Sequence, residues 1–305
     1  MTYPSLRALT IFLYATVSVA LFAPLPVAAQ SRIDCGAMNS KILKHPVRYC
    51  VYVPDSYDAD ASKTPRQDYP VLYYLHGLGG NEQQLFNDGG WTLLDGLRRK
   101  HKISDFLIVA PDGGKTFYIN SADGKTRYSD FFLQEFIPYI EGKYHVSKAR
   151  SGRAITGISM GGYGALRFAF SHPELFAAVS AQSPALTTES PKEIDTSMQS
   201  DPSRAKLMID VFGDPINLAH WRENDPLVLA RQNATNLRGL AIYFNCGQED
   251  NYGFEKGAEV LQDELKKEKV KHEYRSYPGD HSAEYFTSHF DEVIEFHSRA
   301  FGPAK

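Results

Sequence analysis

Residues Ala154 to Phe170 read AITGISMGGYGALRFAF, an apolar run that passes through Gly157-Ile158-Ser159-Met160-Gly161 and continues as a helix-like pattern. A lone hydroxyl, Ser159, stands where the strand-like run ends. The order strand, Gly-x-Ser-x-Gly, helix describes a sharp turn that lifts a serine oxygen clear of a sheet. Small neighbours are needed there because a strained turn leaves little room beside the hydroxyl. The helix beginning after Ser159 also points free amide donors and the positive end of its dipole toward that oxygen. The pentapeptide alone arises often by chance. Its weight comes from the strand before it and the helix after it.

The same alternation extends outward in both directions. Strand-length apolar runs occur at 69–77 (YPVLYYLHG), 106–114 (FLIVAPDGG), 153–159, 176–184 (FAAVSAQSP), 239–247 (GLAIYFNCG) and 272–279 (HEYRSYPG). Between them lie WTLLDGLRRKH (91–101), DFFLQEFIPYIEGKY (130–144), YGALRFAFSHPE (163–174) and FEKGAEVLQDELKKEK (254–269), with apolar residues three and four apart. Alternation of this kind predicts an α/β domain with a mostly parallel sheet and helices on both faces. Strands covered on both faces explain why Val71–Leu75 and Phe106–Val109 are almost continuously apolar. The stretch 184–236, rich in Pro, Asp and Ser, interrupts the alternation between two core strands. It is expected to be an irregular insertion bordering the ligand crevice, with an ordinary surface excursion as the alternative.

A serine hydroxyl needs a base to take its proton and an acid to orient that base. In a strand-first architecture the chain order is serine, acid, histidine. YFNCGQEDNYG (243–253) ends a strand with Glu249 and Asp250 just beyond it, and YPGDHSAEYF (277–286) carries His281 at a loop-to-helix junction. Of the ten histidines, only His281 has this order and position. His145, His172 and His220 break the order, His272 lies inside the last strand, and His289 and His297 fall in the terminal helix. His76 is expected to shape the backbone after its strand. Asp250 lies further into the loop than Glu249 and is favoured as the acid, with Glu249 as the alternative, while Asp280 is expected to cap the following helix. Two amide donors for an oxyanion are expected from Met160, directly after the serine, and from Leu78 in the glycine-rich stretch 76–80, HGLGG. The alternative for that stretch is a plain turn. The loop 115–128, KTFYINSADGKTRY, offers aromatic and polar groups for an acyl or sugar subsite, or ordinary surface tyrosines.

The chain has 305 residues, 43% of them hydrophobic and 23% charged, enough to bury a sizeable core and unlike a disordered chain. A formal net charge of −3 provides no basic field for nucleic acid. Residues 1–29 place Arg7 before an apolar run, 8–23, and small residues at Val27 and Ala29, the order of a secretory signal peptide cleaved after Ala29. An uncleaved membrane anchor is the alternative. Residues 30–305 then form one exported domain, periplasmic or extracellular, without stable membrane insertion after cleavage. In an oxidising compartment Cys35 and Cys50, flanking a hairpin-like stretch, can pair. Two free buried thiols are the alternative, since a two-residue turn at Lys44 and His45 would misalign the cysteines by several positions. Cys246 reads as a small core residue.

These segments together resemble the esterase D-like family of α/β-hydrolases, which includes tributyrin-type carboxylesterases, S-formylglutathione hydrolases, feruloyl and acetylxylan esterases, and mycolyltransferases. The resemblance runs through RYCVYVPDSY, PVLYYLHGLGG, VAPDGGKTFYIN, DFFLQEFIPYIEGKY, GISMGGYGALRFAFSHPELFAAVSAQSP, FNCGQED and YPGDHSAEYF, nearly the whole of 30–305. It implies Ser159 as nucleophile, Asp250 as acid, His281 as base and the Leu78 and Met160 amides as oxyanion donors, with no cofactor or metal. The implied activity is carboxylic ester hydrolysis. Acyl transfer to another alcohol, S-formylglutathione hydrolysis and a catalytically silent carbohydrate-binding role are the alternatives. The implied partner is a small or polymer-linked ester.

Overall fold

The computed structural model describes Met1 and residues 30–59, 68–198 and 202–302. Residues 2–29 of the segment read as a secretion signal lie outside the described residues.

Eight strands form one sheet: β1 (Arg32–Asn39), β2 (Pro46–Val53), β3 (Val71–Leu75), β4 (Leu107–Pro111), β5 (Arg153–Ile158), β6 (Ala178–Gln182), β7 (Ala241–Gly247) and β8 (Glu273–Tyr277). Their spatial order is β1-β2-β4-β3-β5-β6-β7-β8. β1 and β2 form the expected antiparallel hairpin and β2 joins β4 antiparallel, while every later pairing is parallel. Each of the six core strands expected from the sequence falls within its quoted stretch. Every residue of β3 to β6 is buried, as strands sandwiched between helices require.

Because side chains alternate across a strand, β3 supplies both halves of the core. Tyr73 and Leu75 pack with Phe132, Phe136 and Phe168 on one face, whereas Leu72 and Tyr74 pack with Leu94, Leu97, Phe290 and Ile294 on the other. The second face is closed by the helices Gly90–Arg99 and Phe290–Phe301. The chain winds outward from β3 in both directions, so the carboxyl ends of β3 and β5 flank the switch point where open sheets form a crevice.

Cys35 and Cys50 sit directly opposite in the hairpin, 4.1 Å apart at Cα, and form a disulfide. The link is the six residues Ser40–His45, in place of a two-residue turn, and this length restores the register. A bond closing a loop of this size contributes about 3 kcal/mol by the chain-entropy account. The region 184–236 is more helical than its composition suggests, holding Pro191–Met198, Pro202–Phe212, Leu218–Asn224 and Pro226–Gln232 between β6 and β7. Among the described residues no helix is long and apolar enough to cross a membrane.

Candidate active site

Ser159 leaves the end of β5 with φ 52° and ψ −119°, a conformation that side chains disfavour, and the helix Met160–Ser171 begins at the next residue. Strain of this kind survives only where the surroundings over-determine it. The Ser159 amide donates to Gln182 O at 2.9 Å, and its carbonyl accepts from the Tyr163 and Ala185 amides, each at 3.0 Å. A Cβ on Gly157 would lie 2.3 Å from the Gly161 carbonyl group, and one on Gly161 only 2.0 Å from Leu75 O. Both glycines are therefore demanded by backbone packed on backbone. Ala185 is the second residue of the 184–236 region, so the start of this region lies against the serine turn.

The Ser159 hydroxyl meets His281 Nε2 at 2.9 Å, and His281 Nδ1 meets Asp250 Oδ2 at 2.6 Å. The structure thus joins three sequence-predicted residues, from the ends of β5 and β7 and the loop after β8, in one hydrogen-bonded chain. The Asp250 side chain is fully buried and that of His281 nearly so. Burial pushes the Asp250 carboxyl up, but the His281 hydrogen bond and charge, with the Tyr252 and Phe254 amides, hold it below the ordinary carboxylate value. The carboxylate is therefore ionised at neutral pH and can stabilise a proton on the facing ring. Tyr252, Phe254 and Phe286 pack edge-on around that ring, with centroids 4.9, 5.4 and 5.1 Å away.

Glu249 is engaged elsewhere: its carboxylate accepts the Gly279 amide at 2.7 Å. Expected to cap the helix Ala283–Ser288, Asp280 does not do so. Ser282 is two residues nearer the helix, and its hydroxyl accepts the Tyr285 amide at 3.3 Å. The free thiol of Cys246 is buried as expected, yet it also lies 3.7 Å from Asp250 Oδ2. Burial pushes this thiol up to about 12, so it stays protonated and donates to the carboxylate. Its position four residues before Asp250 was the only sequence signal for this contact.

The stretch 76–80 passes beside the serine, since a Cβ on Gly77 would sit 3.5 Å from both Ser159 Cβ and Ile158 Cγ1. Met160 belongs to the first helical turn, where amides have no intrahelical acceptor. His76 shapes backbone as expected, being buried with both ring nitrogens bonded to main chain. The loop 115–128 sends its aromatic residues inward: Tyr118 and Tyr128 are buried, and Phe117 packs edge-on against Tyr163 at 5.4 Å. Tyr118 and Tyr128 are thus taken up by the core rather than by a subsite or the surface, while Phe117 stays half-buried. A cavity of about 100 Å³ adjoins the site between Ile158, Phe286, Tyr74 and Gln182.

An open, mostly parallel sheet with a strained serine turn at its switch point defines the α/β-hydrolase fold. A model of the Esterase family matches residues 40–297, and the chain belongs to this family. Over 137 residues it is 34% identical to Esterase Rv1288 of Mycobacterium tuberculosis (strain ATCC 25618 / H37Rv), 44% of this chain and 28% of that protein. The chain therefore spans less than a third of that relative's length. It is 24% identical over 262 residues to the acetyl esterase of Caldicellulosiruptor saccharolyticus, covering 85% of this chain and 96% of the relative. Among solved structures, a ferulic acid esterase matches with a TM-score of 0.75 and 26% identity, over 90% of this chain and 99% of that one. An S-formylglutathione hydrolase from Staphylococcus aureus matches with a TM-score of 0.70 and 21% identity, over 87% and 98% of the two chains.

Proposed function

We propose that the chain is an exported serine esterase that cleaves short-chain acyl, acetyl or feruloyl esters through an acyl-enzyme. The observation that carries this reading is the hydrogen-bonded chain Ser159, His281, Asp250 at a strained strand-to-helix turn. His281 Nε2 takes the Ser159 proton as the serine oxygen bonds to the ester carbonyl carbon. The negative charge that develops on the carbonyl oxygen is met by the Leu78 and Met160 amides. As the carbon–oxygen bond to the alcohol breaks, the leaving oxygen takes the proton from His281. Water then repeats the sequence on the acyl-enzyme, releasing the acid and restoring the serine. Asp250 keeps the imidazole in the useful tautomer and stabilises its charged form.

The acetyl and feruloyl reading is supported by relatives that include an acetyl esterase and a ferulic acid esterase. Export is supported by the residue order of 1–29, read as a signal peptide, and by the Cys35–Cys50 bond.

The test is a screen of purified 30–305 on p-nitrophenyl esters from acetate to palmitate, methyl ferulate, acetylated xylan and S-formylglutathione. Each methylene accommodated by an apolar tunnel is worth about 0.8 kcal/mol, so a long tunnel would raise kcat/KM steadily to palmitate. The expected outcome is a plateau or fall after a few carbons. A steady rise would replace the small-substrate reading, and no turnover of any ester would end the esterase reading. Intact mass of protein recovered from an exporting host, starting at Gln30, checks the signal peptide.

A further inference from the structure

We infer that His76 is a positioning residue, whose neutral ring turns the Gly77–Leu78 peptide so that the Leu78 amide faces the oxyanion. The inference rests on the serine esterase reading above.

The argument begins with the proton on the ring. The Gly113 amide donates to His76 Nε2 at 2.8 Å, which takes a lone pair on that nitrogen, and Asp112 Oδ1, 3.6 Å from it, is beyond hydrogen-bond reach. The ring hydrogen is then on Nδ1, which donates to Gly77 O at 2.8 Å. Gly77 O also accepts the Gly80 amide at 3.0 Å. A trans peptide is planar, with its carbonyl and its N–H on opposite sides, so fastening Gly77 O toward His76 sends the Leu78 N–H the other way.

Two further polar groups of this turn are also occupied. Tyr118 hydroxyl donates to His76 O at 3.0 Å, and the Gly77 amide donates to Gln84 Oε1 at 3.1 Å. Among the described residues, the Leu78 amide is left without a hydrogen-bond partner, beside a serine whose Cβ is 3.5 Å from where a Gly77 Cβ would be. The Gly79 amide is likewise unpartnered among the described residues, but only the Leu78 amide belongs to the peptide whose carbonyl the ring fastens. That pattern suits a site built to receive charge that appears only during reaction.

The brace is anchored outside the turn. His76 is 1% exposed, and Gly113, which bonds its ring, follows β4. Next to Gly113, Asp112 pairs with Arg48 of β2 at 3.3 Å, and Arg48 Nε reaches Glu82, buried at the far end of the same turn, also at 3.3 Å. Both ends of the turn are thereby tied to the hairpin side of the sheet.

Three variants test this with p-nitrophenyl acetate. His76→Leu removes the Nδ1 donor, and kcat should fall about ten- to hundred-fold with KM nearly unchanged, less than the loss of a whole oxyanion donor. His76→Asn places an amide N–H near the Nδ1 position and should recover about ten-fold of that loss, whereas His76→Gln reaches toward Nε2 and should not. Wild-type kcat in a folded His76→Leu would overturn the inference, as would equal kcat in the Asn and Gln variants. The Asn and Gln pair decides by itself if the Leu variant does not fold. A wild-type protein without ester turnover overturns this inference together with the esterase reading; an active wild type with unchanged His76 variants overturns the positioning role alone.

Discussion

Two histidines in this chain hold a serine hydroxyl by the same ring atom. His281 Nε2 lies 2.9 Å from Ser159 Oγ, and His297 Nε2 lies 2.8 Å from Ser180 Oγ. By distance the pairs are indistinguishable, and what surrounds them separates them. His281 has the Asp250 carboxylate on its second nitrogen, whereas His297 Nδ1 has no partner among the described residues. Ser159 leaves its strand in a strained turn, while Ser180 sits inside β6, fully buried and also bonded to Thr156 Oγ1 at 2.6 Å. Burial pushes His297 down to about 3, so this ring stays neutral where a base must accept a proton. A serine–histidine contact is therefore common material. A carboxylate that can hold the charged ring, and a turn that exposes the oxygen, make it a candidate site.

The strongest way to break this comparison is to remove each hydroxyl in turn. Ser159→Ala is expected to lower kcat about a million-fold, while Ser180→Ala leaves it within about a factor of three and costs stability instead. Steady-state kinetics beside denaturant midpoints measures both. Similar kinetic losses in the two variants would mean that the buried pair takes part in the chemistry. A smaller effect is expected when the acid is neutralised. Asp250→Asn should give His281 a neutral partner in the wrong tautomer and cost about ten-thousand-fold in kcat, whereas Glu249→Gln changes only the contact with the Gly279 amide and should cost less than about ten-fold. The reverse ranking would move the acid role to Glu249.

The sequence reading and the structure agree most closely where burial is symmetric. β3 to β6 are apolar throughout because helices cover both faces, and that pattern is visible one residue at a time. The serine turn was legible for a related reason: Gly157 and Gly161 sit where backbone touches backbone, which no other residue tolerates. Contacts between distant loops left weaker traces. Nothing local distinguishes Asp250 from Glu249 except its depth in the loop, because the partner that separates them, His281, is 31 residues away. The capping role went to Ser282 because helix geometry selects the residue in register with Tyr285, and acidity at Asp280 does not change that register. The six-residue link Ser40–His45 carries no glycine or Asn-Gly signal from which its length could be read. Tyr118 is a polar aromatic that composition leaves on the surface, yet its hydroxyl finds the His76 carbonyl inside.

The smallest expected effect sharpens the comparison through stability. His297 titrates at an ordinary value of 6.5 when exposed and at about 3 in the folded chain. Between those values the unfolded ring binds a proton and the folded ring does not, so acid favours unfolding through this residue. Its contribution is nearly unchanged above pH 6.5 and is lost progressively as pH falls toward 3. From pH 7 to pH 5 the loss amounts to about 2 kcal/mol by proton linkage. His297→Gln keeps a polar group near Ser180 but cannot titrate. The variant is expected to be less stable at pH 7, since it repacks a buried site, yet its decline between pH 7 and pH 5 should be shallower than that of the wild type by about 2 kcal/mol. Urea unfolding at the two pH values, on protein with the disulfide intact, measures the difference, and the other titrating groups cancel between the two proteins. Parallel pH dependence would mean that the folded chain can charge this ring after all, and the contrast with His281 would then rest on the strained turn and the exposure of the hydroxyl alone.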